Sequence, residues 1–106
     1  MLEKSGVDRV AAMEMLSSTL FACPLYQGYG NAIAHMRHMP AGFRLPLGLK
    51  DIELALKTGG EVRVPMPVAG ILRDRFLASI AKGRGEMDWS AFALIARDDA
   101  GLPPPK

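Results

Sequence analysis

The stretch Gly42–Lys57, "GFRLPLGLKDIELALK", decides the fold of this chain. Leu49, Ile52, Ala55 and Leu56 recur at helical spacing, which draws one apolar stripe along a helix. Pro46 and Gly48 stand at the front of the run, so the helix is expected from about Leu47 to Thr58. Met39–Pro46 then reads as a loop, and Gly59–Gly60 as a stop signal. In this register Lys50 falls in the first turn, where its charge faces the positive end of the helix dipole at a cost of roughly 0.3–1 kcal/mol. Two readings answer that cost. Exposed N–H groups at a helix start attract anions, and a lysine there adds charge for an acid substrate or a cofactor's polar groups. Alternatively Lys50, Glu53 and Lys57 form a surface ion ladder, worth ~0.2–0.5 kcal/mol per pair. Asp51 near the helix start is also favourable dipole chemistry by itself.

The same period extends in both directions. "LEKSG" reads as a last helical turn ending at Gly6, which makes Met1 either an internal residue or a start codon placed within a helix. Asp8 is suited to cap a helix from Arg9 to about Thr19, with Val10, Met13, Leu16 and Leu20 on one stripe. Pro24 suits the first position of the next helix, which carries Leu25, Tyr29, Ile33 and Met36. Beyond "TGGEVRVPMP" the longest helix is expected at about Val68–Lys82, burying Ala69, Leu72, Phe76 and Ile80, with Arg73, Asp74 and Arg75 more outward. Asp88 is placed to cap a last helix to Asp99 that buries Trp89, Phe92, Ile95 and Ala96. Gly101 ends it, and residues 103–106 form a proline-rich tail. "EVRVP" is too short for a strand. The expected class is all-α, a bundle of roughly five helices over residues 1–102.

With 106 residues there is room for one small domain. Hydrophobic residues make up 49% of the chain, seven residues are Met, and mean hydropathy is +0.11. So much apolar material in a domain of this size implies a surface buried against something else. Thirteen basic and eleven acidic residues are interleaved, which argues against a nucleic-acid tail or a polybasic membrane patch. The apolar runs are too short to span a bilayer. "MLEKSGVD" lacks the regions of a signal peptide, and Cys23 is the one cysteine, so a cytoplasmic setting is expected.

Four features could carry chemistry. His35 and His38 stand three apart and could share a metal, but no third ligand of suitable type lies near in sequence, so a solvated helix end is the expected reading and no metal is assigned. Cys23 precedes a helix without an obvious base beside it, which reads as a buried, inert thiol. Arg73 and Arg75 could meet phosphate or decorate a solvated face. "GRGEMD" has two glycines but neither the spacing nor the preceding strand of a phosphate loop.

Taken in order, "GFRLPLGLKDIELAL", "VPMPVAGILRDRF" and "GRGEMDWSAF", with the opening "LEKSGVD", resemble the C-terminal helical domain of the β-hydroxyacid dehydrogenase family, which includes 3-hydroxyisobutyrate dehydrogenases. The resemblance covers nearly all of residues 2–102 and implies a second domain. In such enzymes an N-terminal Rossmann domain binds NAD or NADP, and a lysine on a long helix serves the hydroxyl proton during hydride transfer. No GxGxxG follows a strand here, and neither Lys4 nor any other lysine matches the catalytic motif, so no catalytic residue is assigned to this chain. The resemblance implies that Lys50 reaches the cofactor near its nicotinamide end. It also implies that Phe43 and Asp51 border the substrate side of the cleft.

The expected function follows from that resemblance: one wall of the cofactor and substrate cleft of an NAD(P)-dependent oxidoreductase acting on a small β-hydroxyacid or semialdehyde. The isolated chain is expected to be inactive and to bind no cofactor alone. Its expected partners are the Rossmann domain and a second copy, as a homodimer or domain-exchanged oligomer, with no nucleic acid or membrane. The alternative is a stand-alone helical interaction module that has lost catalysis.

Overall fold

The computed structural model describes residues 1–103. It is all-α: helices α1 (Arg9–Ser18), α2 (Pro24–Ala34), α3 (Leu45–Glu61), α4 (Pro67–Ala81) and α5 (Ala93–Asp99), with 3-10 turns at Glu3–Ser5 and Trp89–Phe92 and no β-strand among the described residues. Of the proline-rich tail, only Pro103 falls within the described residues.

The helix starts follow the local chemistry. The Asp8 carboxylate accepts from the Ala11 N–H at 2.8 Å and caps α1. Pro24 stands at the start of α2 after an extended Cys23. Gly6 closes the first 3-10 turn with φ 82°, a left-handed conformation that suits glycine. That turn is tied to the far end of the chain. Glu3 pairs with both Arg9 and Arg97, and Lys4 Nζ donates to the Ala100 carbonyl at 2.7 Å.

Helices α1 and α2 pack on each other, as do α3 and α4, and the Trp89–Phe92 turn joins the two pairs by contacting α2, α3, α4 and α5. The core lies around this turn. Leu45, Phe76, Ala91 and Leu94 are buried, with Leu49, Ile52, Ile80, Trp89 and Phe92 packed around them. The Phe76 and Phe92 rings stack, centroids 5.3 Å apart. The expected α4 stripe is found: Phe76 is fully buried, and Ala69, Leu72 and Ile80 are half-buried.

Several boundaries differ from expectation. Helix α3 starts at Leu45, two residues early, because Pro46 sits in the first turn, where its missing N–H has no partner to lose. It also runs through Gly59–Gly60 to Glu61 and is longer than α4. Glycine weakens a helix by only about 1 kcal/mol, which packing overrides: Gly59 is buried where the Met66 side chain and the Val64 carbonyl come close. The stop comes at Arg63, with φ 58°, whose N–H bonds the Gly60 carbonyl while the Val64 N–H bonds that of Gly59. Leu20 is 87% exposed rather than part of the α1 stripe, since Thr19 closes that helix through its hydroxyl and N–H. The last helix begins as a 3-10 turn, whose tighter winding shifts the register so that Ala91, Leu94 and Ile95 are buried and Ala96 is exposed.

Candidate functional site

Helices α2, α3 and α4, the loop before α3 and the Trp89–Phe92 turn line an open groove of about 360 Å3. Phe43, Tyr29 and Trp89 form its aromatic wall. Trp89 meets Tyr29 edge-on at 5.0 Å and Phe43 edge-on at 6.5 Å. Ala55 and Ala69 supply small side chains elsewhere on the lining, which leaves the groove open. Gly48 lies at its base, where helix α3 approaches the Phe76 ring and Trp89 Cβ. Asp51 is the one charged residue among the lining groups.

Of the three residues singled out in the sequence, Phe43 and Asp51 line this groove, and Lys50 stands beside Asp51 on the same helix. The Lys50 ammonium lies 3.3 Å from Asp51 Oδ1, and both side chains are more than half exposed. A pair so open to solvent is held by about 1 kcal/mol or less, so either group can exchange its partner for a ligand. Because α3 begins at Leu45, Lys50 lies in the second turn and not the first. The dipole penalty read from the sequence therefore falls away, since that field decays within the first turn. The ion ladder is not formed either: Glu53 pairs with Arg73 across to α4, at 3.7 Å.

The loop carrying Phe43 is fastened from behind. Asp88, 9% exposed, accepts through Oδ2 from the N–H groups of Gly42 and Phe43, at 3.1 and 3.0 Å, and through Oδ1 from Ser90 N–H at 3.0 Å. Burial works to raise the Asp88 pKa. The hydrogen bonds from Ser90, Phe43 and Gly42 together outweigh it, and the carboxyl titrates below the usual aspartate range. Behind it His38 is buried, with Nδ1 2.9 Å from Ser90 Oγ. Burial lowers the His38 pKa, Asp88 works to raise it and Arg84 adds to the lowering, so the imidazole is neutral at pH 7. In the sequence Asp88 reads only as a helix cap and His38 as a solvated helix end. Nothing in local spacing shows that the two meet across the fold.

The remaining candidates do not converge. His35 is exposed while His38 is buried, and no group of three metal-ligating side chains occurs among the described residues. Cys23 is half-buried and free. Arg73 bonds Glu53 and Asp74, and Arg75 bonds Asp99. Among the described residues no helix is long and apolar enough to cross a membrane.

Comparison with known proteins supplies a context for the groove. Residues 1–95 match the family described as NAD-binding of NADP-dependent 3-hydroxyisobutyrate dehydrogenase. The chain is 41% identical over 91 residues to an uncharacterized oxidoreductase, YfjR, of Bacillus subtilis, covering 86% of this chain and 32% of that protein. It is 33% identical over 89 residues to glyoxylate/succinic semialdehyde reductase 1 of Arabidopsis thaliana, covering 84% of this chain and 30% of that one. Over 60 residues it is 37% identical to 3-sulfolactaldehyde reductase of Escherichia coli, 57% of this chain and 20% of the enzyme. The chain thus spans a third or less of the length of these curated relatives.

Proposed function

The chain belongs to the 3-hydroxyisobutyrate dehydrogenase family, and we propose that it forms one wall of the cofactor and substrate cleft of an NAD(P)-dependent reductase of small β-hydroxyacids or semialdehydes. The observation that carries this reading is the groove with Phe43 and Asp51 in its lining and Lys50 at its flank. Its lining fits the nicotinamide end of a cofactor, since aromatic and small apolar groups suit a flat ring, and the exposed Lys50 ammonium stands beside it, 3.3 Å from Asp51. When bound, the cofactor supplies the hydride acceptor or donor for the carbon bearing the substrate hydroxyl.

Each residue of this chain has a distinct part. Phe43 and Trp89 present apolar faces that exclude water from one side of the cleft. Asp51 would by itself repel a substrate carboxylate, and Lys50 beside it removes that repulsion and offers a cation to the cofactor's polar groups. These are positioning and desolvating roles. The hydroxyl proton and most of the cofactor contacts fall to a Rossmann domain that lies outside these 106 residues, so the isolated chain turns over no substrate.

A partner surface accompanies this role. The radius of gyration is 14.9 Å, against about 13 Å for a compact domain of 100 residues. Apolar side chains stand exposed on α4, at Val68 and Ile71, and at the α1–α2 corner, at Leu20, Phe21 and Leu25. They support burial against the Rossmann domain and a second copy in a homodimer or domain-exchanged assembly. The same exposed faces favour the second reading, a helical interaction module without catalysis. Lys50→Ala in the full-length enzyme decides between them. About a tenfold rise in cofactor KM, or a comparable fall in kcat, supports the cleft. Unchanged kinetics return Lys50 to a surface pair with Asp51.

A further inference from the structure

Asp88 does more than a helix cap requires. Capping the Trp89–Phe92 turn uses only Oδ1, which accepts from Ser90 N–H. Oδ2 is directed to Gly42 and Phe43, more than forty residues earlier in the chain. The backbone continues the clamp: Asp88 N–H donates to the His38 carbonyl at 2.9 Å, Trp89 N–H to that of Phe43 at 2.7 Å, and Leu45 N–H to that of Met87 at 3.0 Å. One carboxylate therefore joins the two segments that present Phe43 and Trp89 to the groove. We propose that Asp88 is a positioning residue of the cleft, which holds the Phe43 loop against Trp89 and so sets the spacing of the aromatic wall. The proposal rests on the reading of the groove as the ligand-bearing surface.

The test uses Asp88→Asn. The amide keeps one carbonyl oxygen for the Ser90 cap and turns an NH2 toward the two loop N–H groups, which breaks the clamp without changing side-chain volume. In the 106-residue chain, hydrogen exchange at Gly42 and Phe43 should rise about tenfold or more while the amides of α4 keep their protection. Unchanged exchange at the two loop amides, or a rise shared equally by α4, overturns the proposal. Should the variant not fold, the wild-type chain serves instead. On acidification the Gly42, Phe43 and Ser90 amide resonances should move with one shared midpoint, below that of an ordinary aspartate and apart from the titration of nearby His38. Arg37 and Arg84 carry the other charges around this cluster. Separate midpoints, or no movement at Gly42 and Phe43, overturn it. In the full-length enzyme Asp88→Asn should raise substrate or cofactor KM about tenfold with kcat within about twofold. If Lys50→Ala raises KM and Asp88→Asn does not, the positioning role fails and the cleft stands. If neither changes the kinetics, the cleft itself is wrong and the proposal falls with it.

Discussion

The edge of the Phe76 ring lies 2.6 Å from the point where a Cβ on Gly48 would stand, and Trp89 Cβ is 3.3 Å from the same point. Helix α3 can approach the core this closely only because position 48 carries no side chain, and that approach makes the base of the groove. Gly48→Ala therefore drives a methyl into a fully buried ring. Overpacking of this kind costs about 1–3 kcal/mol, against which the better helix propensity of alanine returns up to ~1 kcal/mol. The net expectation is a lower midpoint in chemical denaturation. A variant as stable as the parent, or more so, would show that Phe76 has room to withdraw.

Arg63 ends α3 in a left-handed conformation, φ 58°, with no glycine at the position. That backbone costs a residue with a Cβ about 1–2 kcal/mol. Arg63→Gly relieves the cost, partly offset by the larger freedom of glycine in the unfolded chain. A gain of about 0.5–1 kcal/mol is expected from urea titration, without change in helical content. The same substitution at Lys57, in the middle of α3, should lose about 1 kcal/mol, so equal effects at the two sites would contradict the assignment.

Stability should fall with acid in two steps. His38 has a lower pKa folded than free, so the unfolded chain takes up its proton more readily once pH drops below about 6.5, and stability declines from there toward the folded value. Asp88 and Asp98 behave as depressed carboxyls. For Asp98 the Arg84 hydrogen bond lowers the pKa, against burial and with help from Lys82. Their contributions are complete above the ordinary aspartate value of about 4 and vanish as pH falls through the lower folded values. Denaturation midpoints measured from pH 8 to 3 should show both declines, and His38→Gln should remove the first. A flat profile between pH 7 and 5 in the parent would refute the buried neutral histidine.

The exposed apolar faces lead us to expect self-association. Light scattering on the 11.5 kDa chain should give a mass that rises above the monomer value as concentration increases. Replacing Val68 and Ile71 with serine should shift it back toward the monomer. A clean monomer at high concentration would weigh against the dimer reading.

Much of this protein was legible in its sequence because the relevant forces are local. The period of Leu49, Ile52, Ala55 and Leu56, the Asp8 cap, the proline at the start of α2 and the left-handed glycine at position 6 each act within a turn or two of chain, so the all-α class and the helix order could be read directly. Phe43 and Asp51 were singled out by the family resemblance and not by local forces, and both line one groove. Boundaries were less legible. Gly59 looks like a stop and is instead a packing site, because only the returning Val64–Met66 segment makes a missing side chain an advantage there. The same holds for the site itself. Phe43 and Trp89 face one another because the Asp88 carboxylate reaches across the fold, and Lys50 loses its apparent conflict with the helix dipole because Pro46 lets α3 start early. Sequence determines what each segment prefers by itself. Which segments share a carboxylate, a ring edge or a missing methyl is decided only when packing brings distant residues within a few ångströms.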